Sequence, residues 1–425
     1  MTEAWNTLAQ CLRPGDTNSD AWWQLTGRHL AALVDAAGYP LEKQYEALLF
    51  HYHWTIPHMG RAPGPWMRSA ELPWKSLLAL DGTPIEYSWK WNTSKAGSLP
   101  NIRYVVEPIG PDAGTEMDPL NQQASRELLY SLKKFLPKMD NTWANHFLST
   151  LFDHDNSVFM REAARGGHLG TSIQLAIEFH EQATAIKTYF FPRKYGQAGL
   201  MPLPQWQGCI DELKKDPDVD PELPLETFTT PARTLIDNYL ANSPIGKTLT
   251  PISLAVDNVE ASSSRLKWYF HTTETSYTSV RDVMSLGGSI STPQLDALLD
   301  QLSSLVKVVN GVADDFPEDA EVPAGSELEV NVDFGDLSSV LKGYLYYFDI
   351  APGKSVPEVK LFVPTRYYGR DDLALGKALT KWMEANGRGS HCARYMAMLE
   401  ALAGHRKLEE GKGLQSYISY VESGV

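Results

Sequence analysis

Apolar and polar positions alternate strictly in several short runs of this chain. Between those runs apolar residues return every three to four positions. "SSRLKWYFHTT" (263–273) is one such run, with Leu266, Trp268 and Phe270 on one face and Arg265, Lys267 and Tyr269 on the other. The same signal predicts strands over 83–92, 101–110, 172–180, 185–193, 251–259, 343–351, 358–369 and 414–422. Helical periodicity predicts helices over 19–38, 41–57, 123–136, 145–153, 231–242, 279–288, 292–311, 371–387 and 393–404. The rhythm is helices, then a strand pair, repeated. Second strands resemble one another: "IRYVVEP", "IKTYFFP", "RLKWYFH" and "VKLFVPT". Repeated units of this kind can close into a barrel with helices outside. Five pairs fit, with one strand that the pattern does not place.

Parity sharpens this picture. Glu86, Ser88 and Lys90 share a face, opposed by Tyr87, Trp89 and Trp91. Arg103 opposes Ile102 and Tyr104; Lys187 and Tyr189 oppose Ile186 and Thr188; Lys360 and Phe362 oppose Leu361 and Val363; Tyr417 and Ser419 oppose Ile418 and Tyr420. Each strand thus has an apolar face for packing helices and a polar–aromatic face expected to point inward.

Bulk properties narrow the classes. At 425 residues, with 43% apolar and 21% charged residues, the chain is globular and is expected to form one domain over 1–425. A net charge of −14 argues against nucleic acid or anionic lipid as partner. Cys11, Cys209 and Cys392 form no CxxC pair, so neither a disulfide framework nor a zinc site is indicated. The N-terminus lacks the features of a signal peptide, and no apolar run approaches 18 residues; a soluble cytoplasmic protein is expected. "ADDFPEDAE" (313–321) reads as a solvated loop and "RDDLALGK" (370–377) as a helix cap, so no metal site is expected.

The inward-facing cations Arg103, Lys187, Arg265, Lys267 and Lys360 would repel one another and lose solvation unless they surround a polyanion. Diphosphate fits, since Arg offers forked contacts and Lys a point charge. Rings one step along the same strands suit a cation. A molecule with diphosphate at one end and a latent cation at the other is an allylic diphosphate.

On "GTPIE" (82–86), "IRYVVEPIG", "IKTYFFPRK" and "RLKWYF", the chain resembles the fungal aromatic prenyltransferases of the dimethylallyltryptophan synthase type over nearly its whole length. The resemblance implies an α+β fold: a ten-stranded antiparallel β-barrel surrounded by helices, built from repeated αββα units. It implies dimethylallyl transfer to an indole without a metal, in indole alkaloid biosynthesis and secondary metabolism. Glu86 resembles the acidic residue that takes the indole proton. Arg103, Lys187, Arg265, Lys267, Lys360 and Tyr417 resemble diphosphate ligands, Lys360 standing where many members carry Gln. Tyr189, Tyr269 and Phe362 resemble the aromatic shield, Phe362 standing where Tyr is common; Tyr420 is a further candidate for it. Leu77 and Leu78 resemble the stretch that lines the acceptor pocket. Gln174 falls where members acting on free tryptophan carry Lys, which points to a tryptophan-containing cyclic dipeptide as acceptor. Dimethylallyl diphosphate is then the co-substrate, no cofactor is expected, and a homodimer is left open. The competing expectations are a prenyltransferase for free tryptophan or tyrosine, and a non-catalytic barrel that binds an anionic aromatic ligand.

Overall fold

A computed structural model of the chain describes residues 2–63, 72–79, 81–91, 98–165, 170–181, 183–192, 201–213, 230–291, 294–324 and 342–421. The chain divides into two compact units: described residues up to 192 together with 256–261, and residues 201–255 with 262–421. Helices and antiparallel strands alternate in both, as the hydrophobic pattern predicts. Among the described residues there are nine strands, each within or overlapping a predicted run.

In the first unit β1 (Ile85–Lys90), β2 (Asn101–Val106), β3 (Ile173–Phe179) and β4 (Thr184–Phe190) pair antiparallel in chain order. Their apolar face is closed to solvent: Ile102, Tyr104, Leu175, Ile177, Phe179 and Phe190 are all fully buried. Helices cover that face. Phe50, at the end of Leu41–Phe50, meets Phe179 edge-on at 5.9 Å, and Phe147, in Thr142–Thr150, meets Phe190 at 5.8 Å. The predicted helix over 19–38 is interrupted. It runs as Thr17–Trp22, a π-helical turn Trp23–Gly27, and Arg28–Ala36. A second π turn, His51–Thr55, lies beside the first, with Thr26 Oγ1 2.8 Å from His51 Nε2. Gly27 is required there, since a Cβ would come within 2.5 Å of the Trp5 ring. Tyr39 reaches the sheet from the turn between two helices: its hydroxyl donates to Phe179 O at 2.6 Å and accepts from Ile102 N at 3.0 Å.

In the second unit β5 (Thr250–Asp257), whose last two residues belong to the first unit, neighbours β6 (Leu266–Thr272). β6 pairs with β7 (Tyr344–Ile350), β7 with β8 (Glu358–Val363) and β8 with β9 (Ile418–Val421), all antiparallel. Leu266, Trp268, Phe270, Tyr344, Tyr346, Phe348 and Leu361 form its buried face. Trp206, from helix Leu203–Glu212, packs on Trp268 at 6.2 Å. Helix Leu295–Asn310 ends with Asn310 Nδ2 donating to Tyr344 Oη at 2.7 Å.

Two local readings of the sequence hold. Asp371 caps helix Asp372–Ala385 by accepting from Ala374 N at 2.8 Å. The acids of 313–321 are solvent-exposed. Among the described residues no helix is long and apolar enough to cross a membrane.

Candidate active site

Register decides which side chains share a face, and it gathers the predicted site residues of the first unit. Glu86 stands opposite Val105, and Ser88 opposite Arg103. Arg103 stands opposite Glu178, Ala176 opposite Lys187, and Gln174 opposite Tyr189. Glu86, Arg103, Gln174, Lys187 and Tyr189 therefore lie on one face of β1–β4, away from the helix-covered core.

Glu178 organises the charge on that face. Its Oε1 accepts from Arg103 Nη1 at 3.2 Å and from Lys187 Nζ at 2.7 Å, and His180 Nε2 is 3.3 Å from Oε2. Lys187 also comes within 3.9 Å of Asp257. Burial alone would raise the Glu178 pKa. The hydrogen bond from His180 and the charges of Lys187 and Arg103 outweigh it and hold the carboxyl well below the usual range. Gln174 is 4% exposed, and its side-chain amide makes no hydrogen bond among the described residues.

Leu77 and Leu78, in the turn before β1, are half-buried. Their turn is tied to Glu107, a fully buried carboxylate just after β2. Glu107 accepts from Trp74 Nε1 at 2.7 Å, from Asn121 Nδ2 at 3.1 Å and from Thr171 Oγ1 at 2.5 Å. Thr171 Oγ1 in turn accepts from Leu77 N at 2.9 Å. Burial pushes the Glu107 pKa up, against hydrogen bonds from Ser76, Thr171, Trp74 and Asn121 that pull it down. The Glu107 backbone N–H reaches Pro84 O at 3.0 Å, two residues before Glu86.

In the second unit Lys267 stands opposite Asp349, Tyr269 opposite Tyr347, Tyr347 opposite Lys360, and Leu345 opposite Phe362. Arg265 precedes β6 on the same parity, and its Nη1 is 3.0 Å from Asp349 Oδ2. The rings form a cluster: Tyr269–Tyr347 at 5.3 Å, Tyr347–Phe362 at 5.9 Å and Tyr269–Phe362 at 6.0 Å. Lys360 Nζ lies 4.8 Å from the Phe362 centroid and 5.8 Å from that of Tyr347, so the cluster already receives a cation on its π faces. Tyr347 Oη donates to Glu358 at 3.2 Å. Burial first, then the Glu358 and Asp349 charges, push its pKa far up, so the phenol stays protonated.

The last strand separates its two tyrosines. Tyr420 stands opposite the fully buried Leu361, so it lies on the apolar face and not with Phe362. The expectation that it belongs to the shield is corrected by this register. Tyr417, one residue before β9, receives a hydrogen bond from Arg366 Nη2 at 2.9 Å, with the guanidinium 5.0 Å from its ring.

Sequence reasoning missed Glu178, Asp349, Tyr347, Glu107 and Arg366. Glu178 shares parity with Gln174 on "SIQLAIEFH", whereas Tyr347 and Asp349 join Tyr269 and Lys267 only through the register of β6 with β7. Parity alone leaves the cations tolerable only around a bound polyanion. Instead, Arg103, Lys187 and Arg265 already have protein carboxylates as partners. Among the described residues no group of three or more His, Cys, Asp or Glu could hold a metal ion.

The profile of the family described as tryptophan dimethylallyltransferase matches residues 18–398. Prenyltransferase GME11375 of Pestalotiopsis microspora is 51% identical over 99% of this chain and 88% of its own length. Xanthone prenyltransferase B of Emericella nidulans is 43% identical over 100% of this chain and 89% of its own. Among solved structures, NotF in complex with brevianamide F and DMSPP aligns with a TM-score of 0.78 at 24% identity, over 100% of this chain and 95% of that one. AnaPT from Neosartorya fischeri aligns with a TM-score of 0.76 at 22% identity, over 99% and 95%. These likenesses show the expected fold class, an α+β prenyltransferase fold of αββα units.

Proposed function

This chain belongs to the tryptophan dimethylallyltransferase family and is a prenyltransferase, and from that premise we propose that it moves a dimethylallyl group from dimethylallyl diphosphate to an electron-rich aromatic acceptor. The reading gives Arg103, Lys187, Arg265, Lys267, Lys360 and Tyr417 the leaving diphosphate. It gives Tyr189, Tyr269 and Phe362, joined by Tyr347, the allylic cation. Glu86 takes the proton that the acceptor loses. The carbon–oxygen bond of the donor breaks with its electron pair leaving on diphosphate. An acceptor carbon supplies the pair for the new carbon–carbon bond, and loss of a proton restores the ring. The observation that carries the reading is the Tyr269–Tyr347–Phe362 cluster with an ammonium on its π faces, on the same side of the sheet as Arg265 and Lys267.

Two acceptor classes have specific support. A tryptophan-containing cyclic dipeptide suits Gln174, whose buried neutral amide matches a diketopiperazine edge better than a zwitterion; NotF, a fold neighbour, is complexed with brevianamide F. A hydroxylated fused ring is supported by two relatives named xanthone prenyltransferases, at 43% and 41% identity. Relatedness favours the second class, since these identities far exceed the 24% shared with NotF. Either class offers a flat π system and an acidic N–H or O–H for Glu86.

The test is one competition reaction with dimethylallyl diphosphate, a cyclic dipeptide of tryptophan and proline, a hydroxyxanthone, free tryptophan and free tyrosine, read by mass spectrometry. Preferential prenylation of the xanthone or of the cyclic dipeptide selects between the two classes. Preferential use of a free amino acid removes both. Activity is expected to survive EDTA, with the cations serving in place of Mg²⁺; loss on chelation restored by Mg²⁺ would overturn that part.

A further inference from the structure

Each unit places a carboxylate largely shielded from water among the cations assigned above to diphosphate. In the first unit Glu178 bridges Arg103 and Lys187, which stand on the strands either side of it. In the second, Asp349 pairs with Arg265 and stands directly across from Lys267. Both acids are shielded from water, with Glu178 side-chain exposure at 13% and Asp349 at 3%. The two arrangements use different strands and different acids yet do the same thing.

We propose that Glu178 and Asp349 are resident counter-ions that compete with diphosphate for these cations, holding the empty site together and loosening its grip on the diphosphate product. The proposal rests on the diphosphate assignment of Arg103, Lys187 and Arg265. Partly desolvated cations without a ligand repel one another, and each carries an unmet solvation cost. A carboxylate within hydrogen-bond reach removes both costs while the site is empty. Once diphosphate is bound, the same carboxylate is a like charge beside a polyanion. The net field on the leaving group is then smaller than the number of cations suggests. Strong binding of diphosphate helps the donor ionise, but it also slows product departure, and product release sets the rate in many enzymes. A fixed acid in each cationic group sets a middle course. Glu178 is suited to this because its partners keep it ionised far into the acid range.

The sign of the effect separates this role from simple scaffolding. Glu178→Gln keeps the shape of the side chain and removes the charge. If Glu178 competes with the ligand, the variant binds inorganic diphosphate more tightly, with the product-inhibition constant falling by about tenfold, as expected on removing a unit charge a few ångströms away in a partly screened site. The KM for the donor falls with it, and kcat falls if release limits turnover. If Glu178 only holds Arg103 and Lys187 in place, the inhibition constant rises or does not move, and the proposal is overturned. Asp349→Asn repeats the test in the other unit, so a folding failure in one variant leaves the other to decide. Lys187→Ala is the control for the underlying assignment. If it leaves diphosphate inhibition unchanged, the donor reading itself fails. If it weakens inhibition while neither acid variant tightens it, only the counter-ion role is lost.

Discussion

Thr171 Oγ1 donates to Glu107 Oε2 at 2.5 Å and accepts from Leu77 N at 2.9 Å. One hydroxyl thus ties a buried acid to the turn that carries Leu77 and Leu78. Thr171→Val keeps the shape and deletes both bonds, leaving a buried carboxylate oxygen and an amide without this partner. The expected cost is about 1–3 kcal/mol of stability, read as a lower urea midpoint. The acceptor KM should rise by about tenfold at an unchanged donor KM, if the turn contacts the acceptor as assigned. Equal rises in both KM values would detach that turn from acceptor binding.

Glu86→Gln tests the base. It preserves the hydrogen-bonding shape and removes the charge that would accept the acceptor's proton. A positioned general base is worth roughly 10²–10⁴-fold in rate, and a loss in that range at an unchanged donor KM is expected. Near-normal turnover would remove Glu86 from the chemistry.

Replacing Tyr269 or Tyr347 by Ala opens one wall of the ring cluster that already holds the Lys360 ammonium. Water then reaches the allylic cation, and the ratio of free dimethylallyl alcohol to prenylated product should rise in gas chromatography of the reaction. Phe replacements keep the π face and should leave the ratio near that of the unaltered protein. A ratio that ignores both substitutions would mean the rings only pack.

Stability should depend on acid through His51. Burial lowers its pKa to about 3, while the unfolded imidazole titrates near 6.5. The contribution is complete above pH 6.5. It declines as pH falls toward 3, because the unfolded chain binds a proton there and the folded one does not. The slope from this residue is up to about 1.4 kcal/mol per pH unit. Urea titrations between pH 4 and 7 should show a flatter pH dependence for His51→Gln; parallel curves would assign the acid sensitivity elsewhere.

The strands and their two faces were legible because a half-buried sheet writes its parity into every second residue. Arg103, Lys187, Tyr189, Lys267 and Phe362 could be selected on that ground, and register then brought the first three onto one face of the first unit and the last two onto one face of the second. Parity could not expose the pairing of Arg103 with Glu178, because it says nothing about which neighbour lies across the ladder. Tyr420 shows a related gap. A strand as short as Ile418–Val421 has too few residues for its alternation to fix which tyrosine faces which way. The π turns at Trp23–Gly27 and His51–Thr55 were invisible for another reason: one extra residue per turn hardly disturbs helical periodicity. Glu107 lies inside the predicted run 101–110 but just past the observed end of β2 at Val106, so its role depends on partners distant in sequence, such as Trp74 and Thr171.

Tyr39 has the widest reach of any of these distant partners. Its hydroxyl sits between Ile102 N and Phe179 O, which belong to directly opposed residues of β2 and β3. A slip of one position between those strands would turn Arg103 and Glu178 to opposite sides. The phenol therefore works as an alignment peg: a side chain delivered from the helical layer helps to index the charge pattern of the Arg103–Glu178 face. Side chains on that face can then be exchanged without the strands losing their place.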